Sequence, residues 1–288
     1  MINVAVVCRA KNYEETRQKL GWFSYPVPEF EWTFYPVDPG TAVSKKYLAQ
    51  RHQIVIAEDW TWCSFVNDAS IPIVGIIVDS NTSDRRLTLY RDWAQQCDVL
   101  LLDQDKPASF NGVKKPIYHW SYGVNEHVFY PRQKVTDIAY HVAHTQVRDV
   151  MQPLLVDFAV RRGYSITRGI HPLAKYAELL GQARIVVHHS TAPQCRSHRF
   201  FDALAGQSCL LTDKVTLPPE DGWVPGQHFV EYENMDHLYG LIKGLLSSGK
   251  WEEVAQAGYE FVKNSHTWKQ RAAELSAILI KEYGAICS

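Results

Sequence analysis

Short, unbroken apolar runs alternate with amphipathic stretches along the whole chain. Residues 2–8, 53–58, 71–78 and 99–103 are dominated by consecutive apolar positions, the pattern of strands covered on both faces in a parallel sheet. Residues 32–37 and 117–120 are weaker runs of the same kind. Helices are expected at 14–20, 42–50 and 84–96. The second half repeats the alternation. Strands are expected at 137–143, 164–167, 184–190, 209–212 and 228–232, and helices at 146–162, 173–180, 198–205, 235–246, 251–264 and 267–283. Gly163 stops the first of these helices, and Gly206 stops the third where a left-handed residue is wanted.

Strand and helix in alternation imply right-handed crossovers and parallel sheets, so the fold class is α/β with one Rossmann-like layer in each half. The polar stretch 132–136 marks the boundary. An N-terminal domain, 1–131, and a C-terminal domain, 132–288, are expected, with the last helix returning to pack on the first domain.

Composition narrows the class. With 288 residues, 46% hydrophobic and 21% charged, the chain can bury an ordinary core for two domains. A formal net charge of −1 supplies no field to gather polyanions. Six cysteines with no CxxC pair read as buried free thiols in a reducing compartment. The N-terminus opens directly on a strand, and no apolar run approaches a membrane span, so a cytoplasmic protein is expected.

The densest chemistry lies in RIVVHHSTAPQCRSHRFFDALAGQSCLLTD, residues 184–213, read as strand, loop, helix, strand. In such a unit the helix N-terminus stands at the carboxyl end of the strand, where its free N–H groups and dipole favour an anion. Arg196, His198 and Arg199 sit on that turn, and Asp202 follows one turn further in. Anion donors followed by a carboxylate suit a nucleoside diphosphate, with the acid accepting from ribose hydroxyls. Elsewhere, Asp79 ends the strongest strand of the first half, where it could act as general base or orient an acceptor hydroxyl. GxGxxG, Walker A, HExxH and GxSxG are all absent. The pairs His141/His144 and His188/His189 are poor metal sites, because adjacent strand residues point to opposite faces; no metal is expected.

RFFDALAGQSCLLTD resembles the donor-binding segment of GT-B glycosyltransferases, usually an acid followed by EAxAxGxxxxxT, and is most similar to CgeB-like, family-1/4-type enzymes carrying RxFEALAxG. YGVNEHVFYP, residues 122–131, resembles their interdomain signature GVDxxxFxP, and the stretches from His228 and from Ala257 resemble their C-terminal helices. The resemblance implies two Rossmann-like domains facing each other across a cleft, the donor on the second. It also implies a retaining, metal-independent transferase with a nucleotide-diphosphate sugar as co-substrate and no cofactor. Asp202 stands where the family's ribose-binding Glu stands, and Gln194 replaces the acid eight positions earlier. The resemblance places His144 and Arg148 at the donor phosphates and Ile170 beside the base, with Arg168 as a further phosphate candidate. Arg196 and Arg199 would hold the diphosphate, Arg199 stabilising the charge that grows on the leaving group. The acceptor stays open among a glycan, a protein, a small metabolite and a hydroxymethylated DNA base. A nucleotide-sugar epimerase of the same fold and a non-catalytic nucleotide-sugar-binding protein are the alternatives.

Overall fold

The computed structural model describes residues 1–9, 27–58, 63–77, 91–103, 110, 112–141, 146–190 and 196–286. The chain divides into two units, Met1–Ser121 with Trp268–Ser288, and Tyr122–Thr267.

In the first unit, β1 (Ile2–Arg9), β2 (Phe30–Val37), β4 (Ile54–Glu58), β6 (Ile73–Ile77), β7 (Val99–Leu102) and β8 (Ile117–His119) form one parallel sheet in the order β2-β1-β4-β6-β7-β8. Its central strands β4, β6 and β7 are buried at every position, as their largely aliphatic runs require, and the Glu58 carboxyl at the end of β4 is buried with them.

Residues 42–44, expected to open a helix, instead form β3 (Ala42–Ser44), paired in parallel with β5 (Ser64–Val66). The helix α1 (Lys45–Ala49) starts only after Ser44, whose hydroxyl accepts from Tyr47 N (3.1 Å) and donates to Asp68 (2.6 Å). An N-cap serine has extended backbone, so the strand runs up to the cap and the helix begins beyond it.

In the second unit, β9 (Thr136–Tyr140), β10 (Ile166–Arg168), β11 (Ala183–Val187), β12 (Cys209–Thr212) and β13 (Val230–Glu231) form a parallel sheet in the order β10-β9-β11-β12-β13. The helices are α2 (Gln146–Arg162), α3 (Leu173–Gln182), α4 (His198–Ala205), α5 (Met235–Ser248) and α6 (Trp251–Ser265). The chain then enters α7 (Trp268–Tyr283) in the first unit, where Trp120 Nε1 donates to Arg271 O (3.0 Å) and the Tyr118 hydroxyl donates to Glu282.

Gly206 does not take the left-handed turn. Its φ is −72°, and the positive value falls on Gln207, at 54°. Close approach selects glycine here, since a Cβ at 206 would stand 3.2 Å from the N and Cα of Gly181. Lys134 ties the two helix ends together by donating to Gly181 O and Gly206 O (both 2.8 Å) and to Ser208 Oγ (3.1 Å), three acceptors for three ammonium protons. Cys8, Cys63, Cys97 and Cys209 are buried free thiols; Cys195 and Cys287 lie outside the described residues. Among the described residues no helix is long and apolar enough to cross a membrane.

Candidate functional site

The chemistry of the second unit gathers at the carboxyl ends of β9, β11 and β12, where α2 and α4 begin. Ser197 is the N-cap of α4, in extended conformation, but its side chain makes no cap hydrogen bond. Its hydroxyl is engaged instead by His188 Nε2 (3.0 Å), while His188 Nδ1 meets Thr212 Oγ1 (2.8 Å). Ser197 therefore does not cap the first turn of α4 with its side chain, and a helix start of this kind suits a bound anion.

Two guanidinium groups face this end. Arg148, on the first turn of α2 and 2% exposed, donates through Nε to His189 O (3.0 Å), and its Nη2 contacts the same oxygen. Arg199, half-buried on α4, has Nε and Nη1 without a hydrogen-bond partner among the described residues. The two cations feel each other: burial and then Arg199 lower the Arg148 pKa. His188 is likewise held well below the usual imidazole range, by burial first and then by Arg199 and Arg148. Like charges concentrated in a half-buried pocket raise the free energy of the empty arrangement, and an anion between them relieves it.

Asp202, 6% exposed, lies one turn into α4, and its carboxylate accepts from the Tyr176 hydroxyl of α3 (3.3 Å). Burial, and then Asp202, raise the Tyr176 pKa well above its ordinary value, and the nearby Arg199 guanidinium opposes the rise. Tyr176 thus holds the carboxylate within the field of the Arg199 guanidinium. Nothing in its sequence context, an aromatic on a helix, signals that placement.

The remaining expected residues distribute less closely. Arg196 is 1% exposed and held in an ion pair by Asp221, with the Phe201 ring 6.0 Å from its guanidinium carbon. Arg168 is exposed at the end of β10, its carbonyl accepting from His171 Nε2 (3.0 Å), and Ile170 is 67% exposed beyond it. His144, Gln194 and Asp79 lie outside the described residues. On the first unit, Glu58 ends β4 as a buried carboxyl whose pKa burial pushes up to about 7, a group that changes charge near neutrality.

The loop after β10 is pinned from below. His141, at the end of β9, meets Gly169 O through Nδ1 (3.1 Å) and Thr167 Oγ1 through Nε2 (3.0 Å). Gly169 has φ 100°, a conformation glycine adopts without strain. Burial pushes the His141 pKa down from 6.5 to about 4. An unfolded chain takes up this proton near 6.5 and the folded one only near 4. The unfolded state therefore binds more protons across that window, and stability falls as pH falls through it. Urea unfolding midpoints measured from pH 7 to about 4 are expected to decline, and His141→Gln to flatten part of the decline. An equal slope in the variant would show that His141 is not responsible.

A two-unit α/β chain with one parallel sheet in each unit has the fold class of the GT-B proteins. The chain belongs to the glycosyl transferase-like family Glyco_trans_1_2, whose model matches residues 131–277. Sucrose-phosphate synthase from Thermosynechococcus elongatus has a similar fold, with TM-score 0.69, 9% identity and coverage of 99% of this chain and 100% of that one. Anabaena HepE, solved in complex with UDP and glucose, aligns with TM-score 0.66, 9% identity and coverage of 98% and 100%. A glycosyltransferase from Rickettsia africae aligns with TM-score 0.64, 10% identity and coverage of 97% and 98%. No curated protein is significantly similar in sequence. By family the protein is a glycosyltransferase, and its fold is the GT-B fold of these structures.

Proposed function

We propose that the protein transfers a sugar from a nucleoside diphosphate sugar, bound on the second unit, to an acceptor hydroxyl. The observation that carries this reading is the pairing of Arg148 and Arg199 near the start of α4, which the Ser197 side chain does not cap, with Asp202 buried one turn along. Arg199 and the α4 amides hold the diphosphate, Arg148 adds field from beneath, and Asp202 accepts from the ribose hydroxyls while Tyr176 fixes its carboxylate. The guanidinium groups then carry the charge neutralisation for which other transferases use a divalent ion. As the bond from the sugar to the diphosphate breaks, the charge growing on the leaving oxygen meets donors already in place. Ile170 borders the base at the rim, and Arg168 before it is a further cation for the phosphates. The resemblance to family-1/4-type enzymes supports a retaining outcome.

HepE was solved with UDP, which makes a uridine nucleotide the first donor to test. Thermal-shift titration with UDP-glucose and the corresponding adenosine and guanosine diphosphate sugars is expected to raise the unfolding midpoint with one of them, since a ligand bound only to the native state stabilises it. Asp202→Asn, which keeps the shape and the Tyr176 contact but loses the carboxylate charge, is expected to weaken that donor about tenfold or more. Equal affinity in the variant would remove Asp202 from the site.

A further inference from the structure

Just past β11, the His188 imidazole is fully buried, and both of its nitrogens meet hydroxyl groups, Nδ1 that of Thr212 and Nε2 that of Ser197. The Tyr232 hydroxyl, beside β13, donates to the His188 carbonyl (2.9 Å) and braces the same residue from the other side. Burial first, and then Arg199 and Arg148, keep the ring neutral, so it carries one N–H. Thr212 settles which nitrogen has it. The Thr212 hydroxyl donates to Asp213 Oδ1 (3.4 Å), which leaves its oxygen to accept from Nδ1–H. The Asp213 carboxylate, 3.9 Å from Nδ1, favours the same tautomer. Nε2 is then the acceptor, and the Ser197 hydroxyl donates its one proton there.

Ser197 is the residue this contact changes. Its backbone, at φ −116° and ψ 168°, is that of an N-cap, where a serine ordinarily turns its oxygen onto the first-turn amides. Ser44 does so at the start of α1, accepting from Tyr47 N. Ser197 makes no such bond. Its backbone is set to cap α4, but its side chain is drawn off by a buried ring that Thr212 and Asp213 hold in one tautomer. The first turn of the same helix carries Arg199, whose Nε and Nη1 are buried without a hydrogen-bond partner among the described residues. A serine oxygen and an anion compete for the same N–H groups at a helix start.

We propose that His188 is a positioning residue for the donor: it holds the Ser197 hydroxyl off the first turn of α4, so that a phosphate oxygen of the nucleoside diphosphate meets those amides in place of the protein's own serine. The inference rests on the diphosphate reading of this helix start. His188 acts without touching the donor, and the Ser197 hydroxyl is dispensable for binding.

Calorimetry with UDP-glucose reads the competition. His188→Asn keeps an amide near the Nδ1 position for Thr212 but removes the partner of Ser197. The freed hydroxyl then caps α4, and affinity is expected to fall about fivefold, the scale of one N-cap. Ser197→Ala alone is expected to change affinity by less than about twofold, and added to His188→Asn it is expected to restore most of the loss. A purely structural role for His188 predicts no restoration, because Ser197→Ala refills nothing that His188→Asn removes. Ring-nitrogen NMR shifts of the native protein need no variant and decide alone if His188→Asn does not fold. They are expected to show His188 protonated on Nδ1 both free and with UDP-glucose bound. Undiminished affinity in folded His188→Asn, no restoration in the double variant, a large loss in Ser197→Ala, or a proton moved to Nε2 on binding each overturns the proposal and leaves the diphosphate site standing. Failure of the native protein to bind UDP-glucose or any other nucleotide sugar overturns the site itself, and this proposal with it.

Discussion

Replacing Arg199 with alanine is expected to lower sugar transfer by on the order of 100-fold or more while moving the unfolding free energy by less than about 1 kcal/mol. The two halves of that expectation have one cause. Nε and Nη1 of Arg199 are buried without hydrogen-bond partners among the described residues, and the side chain sits in the field of a second guanidinium, Arg148. Its removal relieves repulsion with Arg148 and loses attraction to the Tyr176–Asp202 pair, so the stability terms oppose each other. No such cancellation applies when charge develops on a leaving diphosphate, where a preorganised donor acts in a site shielded from water. Arg199→Lys keeps the charge but not the planar fork, and is expected to recover only part of the loss. Steady-state transfer assays beside urea unfolding check both halves. Turnover within a few-fold of the native protein would remove Arg199 from the chemistry.

How far the sequence discloses this site depends on the range over which each residue acts. Helices α2 and α4 were legible to the residue from local signals, α4 from its apolar periodicity after Ser197 and α2 from the stop at Gly163, since its apolar residues are spread around the helix. Asp202 and Arg199 stand out for the same reason: their spacing from the start of α4 is enough to place them at its N-terminal end. What spacing cannot show is the difference between Arg196 and Arg199. The partner of Arg196 is 25 residues further on, in a 3₁₀ turn at Pro219–Asp221. Tyr176 reads as a helix aromatic, and only the packing of α3 beside α4 brings its hydroxyl to Asp202. His188, Tyr232 and Asp213 come from three separate strand ends, which the sheet order β9-β11-β12-β13 sets side by side. The pair β3–β5, three residues each, is too short for period to reveal, and Gly206 is explained by a helix end, Gly181, that lies in another element.

Arg196→Ala is expected to behave in the opposite way to Arg199→Ala, destabilising the second unit by about 3–5 kcal/mol. The side chains of Arg196 and Asp221 are 1% and 3% exposed, and the pair is close and direct. Truncating the arginine removes the cation paired with a buried carboxylate, and breaking a buried ion pair from one side is among the costliest defects a single substitution can leave. The damage spreads because Asp221 closes a tight turn. Gly222 follows at φ 71°, the Asp221 carbonyl accepts from His266 Nε2 (3.2 Å), and Trp223 stacks on that imidazole with ring centroids 4.6 Å apart. Trp223 in turn meets Phe200 of α4 edge-on at 5.0 Å, so the turn supports the helix that presents Arg199. Donor binding in Arg196→Ala should therefore fall together with stability, and affinity alone does not reveal which role Arg196 holds. The double variant Arg196→Met, Asp221→Leu separates the two. Removing both charges at roughly conserved volume is expected to restore most of the lost stability, as replacement of buried ion pairs by apolar groups does elsewhere. If Arg196 is a brace, UDP-glucose affinity returns to within a few-fold of native with it. A double variant that unfolds like the native protein yet fails to bind donor would instead place the Arg196 guanidinium on the diphosphate, and the division of labour between the two arginines would have to be redrawn.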